Sequence, residues 1–151
     1  MSSPEKEDLI QKLTAHRDEL IAQVKTMSEE AAAKPPAPGE WSAKQQLAHL
    51  AEFERLFTRV CRRVCAEEAP DLSAEWAHPH GQYEEANDKP ISALLADLTA
   101  SRQDLLAALE STDPAQFARL GRKTPFGDLN LLQLYRALYR HDRMHIDQIA
   151  G

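Results

Sequence analysis

The stretch "RHDRMHIDQI" (residues 140–149) decides how this sequence is read. Two histidines, His141 and His145, stand four residues apart near the end of what the spacing predicts as the final helix. Counting back from His141 through Leu138, Leu134 and Leu131 gives steps of 3, 4 and 3, the rhythm of one helical face. Both histidines therefore fall on the row that faces the core. A polar ring placed there needs a partner, because burying it unsatisfied costs free energy.

The same 3.6-residue rhythm, followed toward the N-terminus, predicts four helices. The first runs from about Pro4 to Met27 with a stripe at Leu9, Leu13, His16, Leu20, Val24 and Met27, opened by Ser3 and Pro4 as a cap signature. "KPPAPGEW" (34–41) breaks it. The second runs from Ser42, a plausible N-cap, to about Glu67. It carries one apolar row of Leu50, Phe57, Cys61 and Val64 and another of Phe53, Leu56 and Val60. At about 100° per residue His49 lies within about 40° of that second row, so it faces inward. "EEAPDLSAEWAHPHGQYEEANDK" (67–89) shows no convincing helix, and connections of this length are crossovers, lids or disordered segments. The third helix opens with Asp88 and Pro90 and carries Ile91, Leu94, Leu95, Leu98, Leu105 and Leu109. "STDPAQFARLGRKTPFGD" (111–128) is rich in turn residues, with "DPAQF" as a short helical turn and "TPFG" as turn chemistry. The fourth helix runs from about Leu129 to the end. Four amphipathic helices in one domain, residues 1–151, predict an all-α four-helix bundle.

Composition narrows the function. At 151 residues, 42% hydrophobic and 28% charged, the chain reads as one soluble, globular domain. A net charge of −6 argues against a nucleic-acid partner, which would need a dense positive face. No apolar stretch approaches the roughly 20 residues of a membrane span. The opening "MSSPEKEDLI" is acidic and polar rather than a secretory signal, so the expected compartment is the reducing cytoplasm. Cys61 and Cys65 lie four apart on one helix, poorly oriented for a disulfide, and read as buried packing residues, with a redox or metal role as the alternative.

His49, His141 and His145 together suggest more than packing. Two histidines one turn apart share a helix face and can both touch one ion at about 2.0–2.1 Å. A third from another helix makes a set with a position left over for water or substrate, which is the open geometry of a catalytic site. The set imposes a condition on topology. In an up-down-up-down bundle the second and fourth helices are parallel, and His49 and His145 would differ in height by roughly 14 Å at 1.5 Å per residue. If those helices are antiparallel the rings meet at one end. That arrangement needs a crossover of roughly 30 Å, which the segment between helices two and three can span in extended form. The expected topology is therefore up-down-down-up.

"PAPGEWSAKQQLAHLAEFERLF" and "TPFGDLNLLQLYRALYRHDRMHIDQI" together resemble the DinB/YfiT-like superfamily of bacterial metal-binding four-helix bundles. The matching elements are Pro-Gly-Glu-Trp-Ser at 38–42, His-Leu at 49–50, the turn with Gly127, and His-x-x-x-His followed by Gln148. The resemblance covers roughly residues 36–151. It implies the same up-down-down-up bundle, with His49, His141 and His145 as ligands of a divalent ion, usually zinc or nickel. Relatives include thiol transferases that use bacillithiol or mycothiol, among them a mycothiol-dependent isomerase. Many members have no known reaction, so the family alone does not name the chemistry.

Other residues are read both ways. Asp142 stands where a His-Glu-x-x-His protease has its general base. Aspartate is a methylene shorter, however, and only six residues follow His145, which leaves almost no room for a downstream ligand. Glu52, one turn past His49, is an exposed glutamate or a partner of the site. Gln148 is placed to orient a ring or a bound water, and Trp41 to pack where the second helix begins. His78 and His80, with Trp76 and Tyr83, lie in the crossover as solvated loop residues or as a cover over the open coordination position. Arg55, Arg59 and Arg62, and likewise Arg136, Arg140 and Arg143, form basic rows that read as solvated salt-bridge faces.

The reading that results is a metal-dependent enzyme of the thiol S-transferase or hydrolase type acting on a small molecule, with a low-molecular-weight thiol as a candidate partner. No general base can be named from the residues. The alternative is a non-catalytic, metal-stabilised binding or stress-response module. A homodimer is left open.

Overall fold

The computed structural model describes residues 2–77 and 81–151. Four long helices dominate: α1 (Pro4–Lys25), α3 (Ala43–Ala66), α4 (Ile91–Glu110) and α5 (Leu131–Ala150), with a single-turn α2 (Glu29–Ala32) after the first. The starts of α1, α3 and α5 have a local cause. Ser3 accepts from the Lys6 amide at 3.1 Å with Pro4 at the first helical position, the pairing that fills an orphan donor and omits another. At α3 the Ser42 hydroxyl accepts from the Gln45 amide while the Gln45 side chain accepts from the Ser42 amide, and Asn130 and Gln133 repeat this reciprocal box at α5.

Side-chain contacts fix the helix directions. Lys6 Nζ donates to the carbonyls of Glu110 and Thr112, so the start of α1 meets the end of α4. Gln23 Nε2 donates to the Ile146 carbonyl, so the end of α1 meets the end of α5. Lys44 near the start of α3 donates to the Lys89 carbonyl just before α4. The order is up-down-down-up: the connection between α3 and α4 ends at the level where α3 begins, so α4 lies parallel to α3. The connection includes a 3-10 turn, Glu84–Asp88. No helix among the described residues is long and apolar enough to cross a membrane.

The stretch before α5 is more ordered than its turn residues suggest. Pro114–Ala118 forms the short helical turn expected, but β1 (Leu120–Thr124) and β2 (Gly127–Asn130) then pair as an antiparallel hairpin. "TPFG" is its turn, with Gly127 at φ +90°, a conformation that favours glycine. The strands are too short and too polar to show alternation. Gly121 lets the hairpin press onto the molecule: a Cβ there would meet Leu72 Cδ1 at 2.6 Å and Val64 Cγ2 at 3.0 Å.

The apolar interior falls into two clusters. One, around Leu13, Phe57, Val60, Leu105 and Leu134, fills the end where α5 begins. The other, around Leu20, Leu47, Leu50, Leu98 and Ile146, fills the end where α3 begins. Between them lies a charged layer. Arg17 Nη1 contacts Glu54 at 3.0 Å, Arg17 Nη2 contacts Asp142 at 3.0 Å, and Arg102 Nη2 contacts Asp142 at 2.8 Å. Arg102 also reaches Glu54 and the Leu13 carbonyl, and Ser101 donates to Glu54. The α1 stripe is corrected here. Arg17 is buried where His16 was expected, and His16 is half-buried, stacked on the Tyr139 ring at 5.5 Å. The carboxylates of α3 and α5 supply the counter-charge that makes burial of the guanidinium tolerable.

Candidate metal centre

His49 sits two turns into α3, and His141 and His145 sit near the end of α5, so the antiparallel pairing of these helices brings all three rings to one end of the bundle. The ring centroids are 5.2 Å (His49–His141), 5.4 Å (His49–His145) and 4.7 Å (His141–His145) apart. One nitrogen from each lies within 4.8 Å of the other two.

The α5 pair is already spaced as ligands would be. His145 Nε2 is 3.2 Å from His141 Nε2. Two nitrogens bound to one tetrahedral ion at about 2.0–2.1 Å stand about 3.3 Å apart. On the other side of the ring, His145 Nδ1–H donates to Gln46 Oε1 at 2.8 Å. A carbonyl-type acceptor on one nitrogen leaves the lone pair on the other, the arrangement that prepares an imidazole to bind a metal.

Electrostatics favour neutral rings. Burial, aided by His145 and His49 nearby, pushes His141 down to about 3. Burial likewise pushes His145 down to about 4, with Asp142 acting the other way. Both are therefore free bases at neutral pH, the form that ligates metals. Aromatic side chains close in around them. Trp41, Phe53 and Tyr83 lie 5.0, 5.6 and 5.9 Å from the His49 ring, and Phe53 lies 4.5 Å from His141.

Two cavities open onto the cluster. One of about 640 Å³ is lined by His49 and His145 with Trp41, Gln46 and Gln148. The other, about 480 Å³, has His141 in its wall. Met144 lines both. Donor type, spacing and access all fit a divalent ion held by three imidazoles, and among the described residues no fourth histidine, cysteine or carboxylate joins the group.

The remaining candidates sort by position. Asp142 turns away from the rings into the charged layer and is buried. Burial opposes its charge, but Arg102 and Arg17 outweigh this and hold the carboxyl below its ordinary value. It is a structural anion and not a base facing the site. Glu52 is exposed and lies beside Tyr83, whose hydroxyl is pushed up first by burial and then by that carboxylate. Gln148 lines the larger cavity without a hydrogen bond to a ring among the described residues. From the crossover, Trp76 packs on Phe53 and Phe57 and Tyr83 on Trp41 and His49. His78 and His80 lie outside the described residues. Cys61 is buried and Cys65 half-buried, both free, and burial pushes the Cys61 thiol up. Arg55, Arg59 and Arg143 form surface ion pairs with Asp97, Glu75 and Glu19.

A family model described as the DinB superfamily matches residues 12–149. The chain belongs to this superfamily. Among solved structures, this DinB-superfamily chain is similar to YfiT from Bacillus subtilis, described as a probable metal-dependent hydrolase with an unusual four-helix bundle topology. The two share 21% identity at a TM-score of 0.81, over 99% of this chain and 86% of that one. It is also similar to TT2238, a four-helix bundle protein, at 23% identity and a TM-score of 0.73 over 96% and 98% of the two chains. A mycothiol-dependent maleylpyruvate isomerase matches at 15% identity and a TM-score of 0.77, covering 97% of this chain but 61% of the isomerase. No curated protein sequence matches the chain. At these identities the structural likeness speaks to the fold.

Sequence reading missed Gln46, although it precedes His49 by three residues and so shares its helix face. It also missed the aromatic contact of Phe53 with His141, because residues on different helices carry no mutual spacing signal.

Proposed function

We propose that this DinB-superfamily protein is a divalent-metal-dependent enzyme of the hydrolase or thiol S-transferase type, with His49, His141 and His145 holding the ion. The observation that carries this reading is the convergence of three imidazole nitrogens within 4.8 Å beside two cavities. Zinc and nickel are the preferred ions, since both suit imidazole ligands. A divalent ion held by these residues would supply Lewis acidity, for activating water or a thiol and for stabilising negative charge on a substrate.

The chain's own residues set up that chemistry. Gln46 holds His145 in one tautomer. Trp41, Phe53 and Tyr83 pack around the rings and limit access of bulk water to them. The larger cavity leaves one side of the cluster reachable by a small molecule. These openings favour catalysis over a metal that merely ties the helix ends together, for which a closed shell of protein ligands is usual.

The test is elemental analysis of untagged protein and of the variant His49→Ala, His141→Ala, His145→Ala. The wild type retains about one ion per chain and the variant none. The same material is then screened for ester and amide hydrolysis without thiol, and for transfer of a low-molecular-weight thiol to an electrophile. Turnover that needs added thiol marks a transferase, and turnover without it a hydrolase. Unchanged metal content in the triple variant overturns the reading. Metal without either activity favours the non-catalytic module.

A further inference from the structure

Three large apolar side chains stand exposed among the described residues: Leu120 at 39%, Phe126 at 72% and Met144 at 46%. Two of the three, Phe126 and Met144, line the same cavity of about 480 Å³, together with Phe53, Phe57, Leu129 and His141. A scattered apolar residue on a surface means little, but apolar side chains gathered around one concave space mark a place where something apolar is bound.

Phe126 is held in that position. Its amide donates to Thr124 Oγ1 at 3.1 Å, and the Thr124 hydroxyl donates to the Gly127 carbonyl at 2.6 Å. Below the turn, Gly121 is buried against Leu72 and Val64. The hairpin is therefore anchored at both its base and its tip, and the phenyl ring is presented at the cavity instead of folding into the core.

The polar part of the lining is small. Gln133, Arg140 and the His141 ring supply it. Arg140 is exposed, makes no ion pair among the described residues, and rests its guanidinium 6.0 Å from the Tyr139 ring. One cation at the rim of an aromatic-walled space matches a ligand with an apolar body and a single anionic end.

We infer that this cavity is the subsite for the apolar body of the substrate, an aryl or short alkyl group carrying one carboxylate or similar anion, with Phe126 as its outer wall and Arg140 as the anion contact. The subsite's role in turnover rests on the metal-dependent reading above; its occupancy does not. Because His141 belongs to the same wall, a bound molecule of this kind lies next to the imidazole cluster. The larger cavity, on the His49 and His145 side, stays free for a second reactant.

The test uses two fluorescent probes with the same kind of apolar body, 1-anilinonaphthalene-8-sulfonate and the uncharged N-phenyl-1-naphthylamine, titrated into the full chain. Metal content is measured on each sample. Wild type binds one equivalent of either probe. Phe126→Ala weakens both about tenfold, and Ala137→Trp, which fills the cavity from a half-buried position, abolishes binding. Arg140→Gln weakens the sulfonate about fivefold or more and leaves the uncharged probe unchanged. If both probes bind Phe126→Ala and Ala137→Trp as they bind wild type, the subsite is wrong even where metal content stands. If the chain takes up no metal but the probes follow the stated pattern, the metal reading falls and the subsite remains. A wild-type dimer that Phe126→Ala converts to a monomer in sedimentation assigns the patch to a second copy and overturns the subsite.

Discussion

Gln46 and His145 are joined by a single hydrogen bond of 2.8 Å between α3 and α5, from the imidazole Nδ1–H to the amide oxygen. It is the contact that decides which nitrogen of His145 faces the cluster. Acceptors of this type commonly change metal affinity by about 10–100-fold when removed. Gln46→Leu is expected to weaken the ion by that factor while His141 and His49 keep it bound. Competition against a chelating dye measures this; an unchanged dissociation constant would remove Gln46 from the site.

The two α5 histidines also predict a pH dependence of the metal-free protein. Their folded values, about 3 for His141 and about 4 for His145, lie below the ordinary 6.5. As pH falls below about 6.5 the unfolded chain takes up protons that the folded chain refuses, so the equilibrium moves toward unfolding. The stability tied to these neutral rings is complete above about 6.5 and is lost progressively toward about 4. Urea midpoints of chelator-treated protein should therefore fall between about pH 7 and about pH 5, more than in the variant His141→Ala, His145→Ala. Equal slopes for the two proteins would contradict the buried neutral pair.

Removing one member of the charged layer should be costly. Asp142→Ala leaves Arg17 and Arg102 sharing Glu54 alone in a place that water does not reach. Breaking a buried ion pair in this way destabilises by about 3–5 kcal/mol, readable in urea denaturation. A loss below about 1 kcal/mol, the level of a surface pair, would mean that the layer is solvated.

Gly121 provides a packing test remote from the rings. A methyl group at this position meets Leu72 Cδ1 at 2.6 Å, and overpacking of this kind costs about 1–3 kcal/mol. Gly121→Ala should lower the melting temperature, and Gly121→Val should lower it further. A neutral alanine would show that the Leu72 side chain turns aside at little cost.

How legible was this molecule in its sequence? The four long helices and their direction were legible because apolar periodicity is local, and because three off-centre histidines with one overlong connection are consistent with a single topology. The hairpin was not, since "LGRKT" and "GDLN" are too short to establish a period of two. The charged layer left a readable signal that went unused. Glu54 falls between Leu50 and Phe57 at steps of 4 and 3, Arg102 between Leu98 and Leu105 likewise, and Asp142 between Leu138 and His145 likewise. On α1 both His16 and Arg17 fit between Leu13 and Leu20. Spacing alone does not separate them, and it is the two carboxylates on other helices that place Arg17 inside. Gln46 shares a helix face with His49, but that spacing alone does not say which imidazole on another helix it meets.

The charged layer has a consequence for how the chain finds its arrangement. Its four members sit near the midpoints of their helices, so a slip of any one helix by a turn, about 5.4 Å, strands its charge, whereas turning a helix end for end leaves it at the same level. The layer thus specifies axial alignment and is indifferent to polarity. Polarity is written in the length of the 67–90 connection and read out by the imidazoles, which lie away from the centre. A chain with that connection cut to a tight turn would keep its matched charges but reverse α4 and, with it, α5, parting His49 from the α5 pair: a folded bundle whose three imidazoles no longer meet.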